Sequence, residues 1–292
     1  MAGPASAMAI SILMDAVPAE RRGRAMGTVM GAFSAASVLG VPAGLELAHW
    51  AGWRAPFLVI GGVILLLALV TAWRVPSMRG HLEGDDAELP DRSRLAALLG
   101  DYRAWLAYAT IGVSVVSGFL LIPNLSTYYQ LNMGYPREDI GLLFLVGGSI
   151  SFFTMRLAGR TADRLGPLAV TVTASLGYLA VLYWGFYLAL PWLPVMLLFC
   201  AFMIARTTMA VSANTVVSWV PRPRERAAFM SVKNAFQHFS AAGGAFLSSH
   251  ILSQDETGAL LHVPELTLLA MVLALGQPVF MALLLRRLHV RL

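Results

Sequence analysis

Apolar runs, most of them about 19–27 residues long, alternate along this chain with short polar turns, a period far too long for strands. The runs fall at residues 27–47, 55–73, 105–131, 140–155, 168–190, 193–217, 227–252 and 266–285. At 1.5 Å of rise per residue, about 20 residues of helix cross a hydrocarbon layer of roughly 30 Å. That layer holds no water to satisfy backbone N–H and C=O groups, so helices are the expected form. A closed barrel would show weaker, alternating hydrophobicity. A shorter run, 1–17, precedes a cluster of Arg; if it also crosses, the N-terminus lies outside and the C-terminus inside.

One connection is long. Residues 75–103 interleave Arg with Glu83, Asp85, Asp86, Glu88 and Asp91, a composition that resists burial and reads as a solvated linker. It divides the chain into residues 1–74, with three spans, and 104–292, with six. A short internal echo agrees. Pro18-Ala19-Glu20-Arg21 leads into a span containing Ala32-Phe33, and Pro223-Arg224-Glu225-Arg226 leads into one containing Ala235-Phe236. Six crossings separate the two, as in a chain built from two related halves.

Charge then fixes an orientation. All but four of the 21 Lys and Arg residues fall in alternate turns. These are the clusters at Arg21 to Arg24, Arg74 to Arg103, Arg156 to Arg164, Arg222 to Arg226 and Arg286 to Arg291. Arg54 and Arg137 lie in the opposite turns, and Arg206 and Lys233 lie inside apolar runs. Short loops rich in Lys and Arg stay on the cytoplasmic side, so the C-terminus is placed there. A composition 58% hydrophobic and 13% charged, with mean hydropathy +0.68, is that of a polytopic membrane protein. The basic pI near 9.7 therefore reflects topology and contact with anionic lipid, and no nucleic-acid partner is expected. The one cysteine, Cys200, has no disulfide partner. No charged leader precedes a cleavage site, so a secretory signal peptide is not expected.

Gly159-Arg160-Thr161-Ala162-Asp163-Arg164-Leu165-Gly166 resembles the signature loop of the major facilitator superfamily, in the copy that joins helices 8 and 9. Pro167 stands where the pattern has a last basic residue. Gly134-Tyr135-Pro136, Gly147-Gly148, and the stretch from Glu20 to Gly27 running on to Gly40-Val41-Pro42-Ala43-Gly44 are similar to the same family. The branch resembled is that of the arabinose-efflux permeases, bacterial exporters of drugs and sugars. The resemblance covers essentially the whole chain, mapped onto helices 4–12 of a twelve-helix, all-α fold. It implies that the first three helices are lacking, together with the first half's own signature loop.

The residues bear their own reading beside that resemblance. Asp163 is the one carboxylate among Arg156, Arg160 and Arg164, placed near a helix N-terminus where negative charge is favoured. It is either a latch that pairs and releases as the halves rock, which the resemblance implies, or a local counter-ion. Gly40, Pro42 and Gly44 resemble the family's antiporter motif with the Pro displaced. They fit a kinked helix with a small-residue face, whether for exchange or for packing alone. Arg206, near mid-membrane, faces a cavity or pairs with a carboxylate, because an unpaired central Arg costs about 2.5–3.5 kcal/mol on insertion scales. Glu46 and residues on the missing helices are conceivable partners.

Asn234, Gln237 and His238 share a helix face that glues helices together or lines a path. His238 could carry a proton or sit neutral in a hydrogen bond, and Lys233 lies near enough to the cytoplasmic end to snorkel. Asn124, Tyr128 and Gln130 lie beside Pro123, a plausible bend next to a cavity, and helix packing accounts for them as well. Asp15, with Arg21 and Arg24, forms a local pair or, as in the family, part of a charge network.

No metal-binding, phosphate-cradling or paired intramembrane carboxylate motif is present, so neither an enzyme nor a cofactor is expected. The resemblance implies a monomeric secondary transporter of the inner membrane. It would move a small organic solute outward by alternating access, in exchange for protons. The alternative is an inactive fragment of such a transporter.

Overall fold

A computed structural model describes residues 40, 43–44, 46–74, 100–221 and 226–288. The runs 1–17 and most of 27–47, the linker through residue 99, and Asp15, Arg21, Arg24 and Pro42 lie outside them. The chain clusters into two units, Met1–Asp91 and Arg92–Leu292.

In the first unit, residues 46–51 are helical and Gly52, at φ +81°, ends them. Helix α1, Ala55–Arg74, follows at once. Its apolar side chains continue around the whole circumference, and Phe57, Leu58, Ile64, Leu66, Leu69 and Trp73 are all exposed among the described residues. An all-round apolar helix is matched to lipid or to other helices rather than to water.

The second unit is a six-helix bundle. Helix α2, Tyr102–Leu121, starts where the Asp101 side chain accepts from the backbone N–H of Arg103. At Pro123 it tightens into a 3-10 turn, Ile122–Asn124, then widens into a π turn, Tyr128–Asn132. Pro lacks the N–H a regular helix needs there, so the expected irregularity at Pro123 is present. Helices α3 (Ile140–Leu165), α4 (Pro167–Leu182, extended by a π turn Tyr183–Tyr187) and α5 (Val195–Val217) follow. Helix α6 spans Arg226–Ile251. A small hairpin, β1 (Ser253–Gln254) with β2 (Leu260–Leu261), links it to α7, Val263–Arg287.

Six helical segments among the described residues are long and apolar enough to cross a membrane. They are Ala55–Trp73, Tyr102–Asn132, Arg137–Leu165, Pro167–Tyr187, Val195–Val217 and Val263–Arg287. Helix α6 matches the expected run 227–252 in position and length but not in apolarity, because Lys233, Asn234, Gln237 and His238 interrupt it.

Helices α2 and α5 form the frame: α2 packs chiefly on α7 and α6, and α5 on α3 and α4. Two apolar clusters fill the bundle. One gathers Tyr128, Tyr129, Tyr178, Phe186, Phe199 and Phe202; the other, towards the charged ends, gathers Tyr108, Val216, Phe229, Met281 and Leu284. Several buried polar groups find partners on neighbouring helices. Ser117 donates to Ala270 O at 2.7 Å, Thr171 to Ser212 Oγ at 2.7 Å and Gln277 Nε2 to Met209 O at 2.9 Å. Such bonds average only about 0.6 kcal/mol in a membrane bundle, so close packing carries most of the cohesion.

Close packing is visible at the glycines of α2 and its partners. A Cβ on Gly244 of α6 would lie 2.8 Å from the backbone oxygen of Val116 and 3.0 Å from Phe119 Cβ. Only a residue without a side chain lets α6 approach α2 this closely.

Candidate functional site

Arg206 stands midway along α5 and is half-buried. Its Nη1 donates to the backbone oxygen of Ser114 at 2.7 Å and to Ser114 Oγ at 3.2 Å. The guanidinium lies against Gly118, where a Cβ would come within 2.6 Å of Cζ, and 5.5 Å from the centroid of the buried Tyr178 ring. One peptide oxygen, one hydroxyl, a bare glycine and an aromatic face thus hold the cation. Among the described residues no carboxylate pairs with it, and its Nε and Nη2 groups have no acceptor.

The helices around it supply no anionic side chain along their length. Along the six helices of this unit, carboxylates occur only at ends: Asp163 in the last turn of α3 and Glu265 in the first turn of α7. Ala210 and Asn214, one and two turns beyond Arg206, are exposed, so α5 presents an open strip beside the guanidinium. Lys233 of α6 donates from Nζ to Asn214 Oδ1 at 3.1 Å, and Asn214 Nδ2 donates to Ala210 O. Lys233 is therefore held by α5. Asn234 and His238 are exposed on α6 and Gln237 is half-buried; none of the three makes a hydrogen bond among the described residues.

Two expected cavity residues, Asn124 and Tyr128, line a small apolar pocket with Leu121, Phe186, Leu252 and Leu266, and each also bonds to a neighbouring helix. Tyr128 is buried, donates to Gly185 O at 2.7 Å and stacks on Phe186 at 4.8 Å. Asn124 donates to Ser248 Oγ at 2.9 Å, and the Ser248 hydroxyl in turn donates to Leu120 O. Both tie helices together at the wall of that pocket, so packing and cavity lining coincide here. Ser114, Ser117, Gly118 and Tyr178 do not stand out in the sequence as site residues. The small residues at 114, 117 and 118, at helical spacing opposite an intramembrane Arg, were the available signal.

The segment Gly159 to Gly166 is not a loop. Helix α3 continues through it to Leu165, with the Thr161 hydroxyl bonded back to Leu157 O, and Gly166 alone separates α3 from α4. Gly166, at φ +85° and ψ 140°, makes the reversal that only glycine adopts readily. Gly159 does not turn the chain; it is helical, with no described atom within 4 Å of an added Cβ. Asp163 therefore lies at the C-terminal end of α3 rather than at an open helix start, and Arg164 beside it suits the negative pole of that helix. Arg160, Asp163 and Arg164 are exposed, and Asp163 has no partner among the described residues. Gly40 and Gly44 are helical, with open space where a Cβ would stand.

The hairpin between α6 and α7 holds a satisfied carboxylate. Asp255 Oδ1 accepts from Thr257 N at 2.8 Å, Thr257 Oγ1 at 2.7 Å and Ala259 N at 2.9 Å, which lowers its pKa below the usual carboxylate value. Among the described residues no three His, Cys, Asp or Glu side chains gather as metal ligands.

The family model of the Major Facilitator Superfamily matches residues 1–245. A chloramphenicol resistance protein of Streptomyces lividans is 28% identical over 212 residues, 72% of this chain and 52% of that protein. A probable sugar efflux transporter of Helicobacter pylori (strain HPAG1) is 29% identical over 167 residues, 56% of this chain and 41% of that protein. Monocarboxylate transporter 4 of Mus musculus is 29% identical over 122 residues, 40% of this chain and 26% of that protein. The chain spans about half the length, or less, of these curated relatives.

Proposed function

The chain belongs to the major facilitator superfamily, and we propose on that footing that it serves secondary active transport, moving a small organic solute outward by alternating access in exchange for protons. The match across residues 1–245 carries this reading and points to a transporter rather than an enzyme. Outward direction is supported by two relatives whose names specify resistance and efflux. Residence in the inner membrane with a cytoplasmic C-terminus is supported by the partition of Arg among the turns. Asp163 is the latch carboxylate: it takes a guanidinium partner in one conformational state and releases it in the other. His238 and Glu46, both exposed in the described structure, are the groups for proton exchange. The protein works as a monomer.

Reconstituted vesicles test the proposal. Inside-out vesicles with an acidic lumen should accumulate at least one solute from a panel of amphenicols, sugars and monocarboxylates, and a protonophore should abolish the accumulation. Accumulation insensitive to the protonophore would remove proton exchange. No flux of any solute from the full reading frame would remove transport itself.

A second reading rests on the shared length: residues 1–292 form part of a longer transporter and are inert by themselves. Flux by a chain extended upstream, and none by residues 1–292 alone, supports it.

A further inference from the structure

We infer that the transported solute is a small monocarboxylate and that Arg206 is the residue that binds its carboxylate group. This rests on the transporter reading and narrows its substrate class. The geometry of the guanidinium is the argument. Nη1 is tied down by Ser114, and Gly118 and Tyr178 fix the plane from the sides. The edge formed by Nε and Nη2 is left without an acceptor among the described residues, and that edge presents two parallel N–H groups, the pattern that a carboxylate accepts in bidentate form.

Charge supports the same conclusion. A half-buried cation in the middle of a bundle needs a counter-charge, and no helix of this unit supplies one along its length. A neutral sugar would offer hydroxyls to the same edge and leave the charge uncompensated. A carboxylate satisfies both. The open strip at Ala210 and Asn214 gives access along α5, and Lys233, held on Asn214, adds a second positive charge roughly 12 Å along the helix. One carboxylate cannot bridge that distance. Lys233 therefore attracts the anion along its path, and Arg206 anchors it.

The experiment compares matched acids and amides on the purified full-length protein: acetate with acetamide, lactate with lactamide, benzoate with benzamide and naphthoate with naphthamide. Binding is read by tryptophan fluorescence and by the shift in melting temperature. At least one acid should bind ten-fold or more tightly than its amide. Arg206→Gln should lose that preference, Arg206→Lys should keep part of it, and Lys233→Gln should slow association with a smaller loss of affinity. Gly118→Ala retains the charge but displaces the guanidinium from α2, so it should also weaken acid binding in protein that melts cooperatively. Equal binding of acid and amide, undiminished acid binding by Arg206→Gln, or saturable binding of none of the acids would each overturn the inference. Vesicle flux of a neutral sugar alongside any of these results would leave the transporter reading intact, whereas no flux of any solute would remove both.

Discussion

The seam along α2 and the charged end of α3 use glycine for opposite ends. In the seam, Gly118 receives the Arg206 guanidinium and Gly244 lies against the Val116 backbone, so the missing Cβ sets a distance between helices. At the end of α3, a Cβ on Gly159 would meet no described atom within 4 Å, and Gly166 serves its own backbone angle. The charged groups differ in the same sense. Arg206 is bonded and stacked by two neighbouring helices, whereas Asp163 has no partner among the described residues. A seam of this kind fixes one structure. An unpartnered charged end can exchange partners between states, which a moving gate requires.

The comparison breaks most readily at Gly244. A methyl there meets backbone on α2, which cannot rotate aside, so Gly244→Ala should destabilise the protein by about 1–3 kcal/mol, the usual range for overpacking. Thermal unfolding in detergent measures it. An unchanged melting temperature would show that α6 is loosely held and that the seam is not a fixed distance.

The two glycines at the end of α3 should then part company. Gly166→Ala forces a side chain into a conformation essentially reserved for glycine and should cost about 1–3 kcal/mol. Gly159→Ala should be neutral or stabilise by about 0.5–1 kcal/mol, since alanine favours helix and the space is open. If Gly159→Ala instead destabilises as much as Gly166→Ala, the segment is packed against something that the described residues do not include.

Much of this arrangement is legible in the sequence. The spans 55–73 and 193–217 match helices closely because unbroken apolar runs in lipid leave the backbone no alternative. The end of α3 is not, because Arg156 to Arg164 are polar and polarity mimics a turn; a helix leaving the membrane keeps its form while its side chains become wet. Arg206 stands out by charge alone. Its setting does not, because Ser114, Gly118 and Tyr178 lie 92, 88 and 28 positions away in sequence and nothing local links them. Tyr128 is equally opaque: a tyrosine beside a proline can line a cavity or fill a core, and here it bonds to Gly185 while bordering a small pocket.

Asp163→Asn should leave the unfolding free energy within about 0.5 kcal/mol of wild type, as expected for an exposed group without a partner among the described residues. Vesicle flux should nevertheless fall several-fold. Unchanged flux would return Asp163 to the role of a local counter-ion.

Asp255 gives the smallest effect and the sharpest contrast with Asp163, since the same residue type is here fully engaged by Thr257 and Ala259. Its pKa is depressed in the folded turn, led by the Thr257 hydroxyl. The sign follows directly: the carboxylate contributes fully at pH values above its unfolded pKa of about 3.9, and the contribution is lost as pH falls through the lower folded value. Amide exchange at Thr257 and Ala259 should therefore retain its protection down to about pH 4 and lose it only under more acidic conditions. Asp255→Ala should lose that protection already at neutral pH while leaving the amides of α5 untouched. If protection in the wild type fades together with that of the bundle, the turn has no stability of its own, and the distinction between locally satisfied and exchangeable carboxylates does not hold at this hairpin.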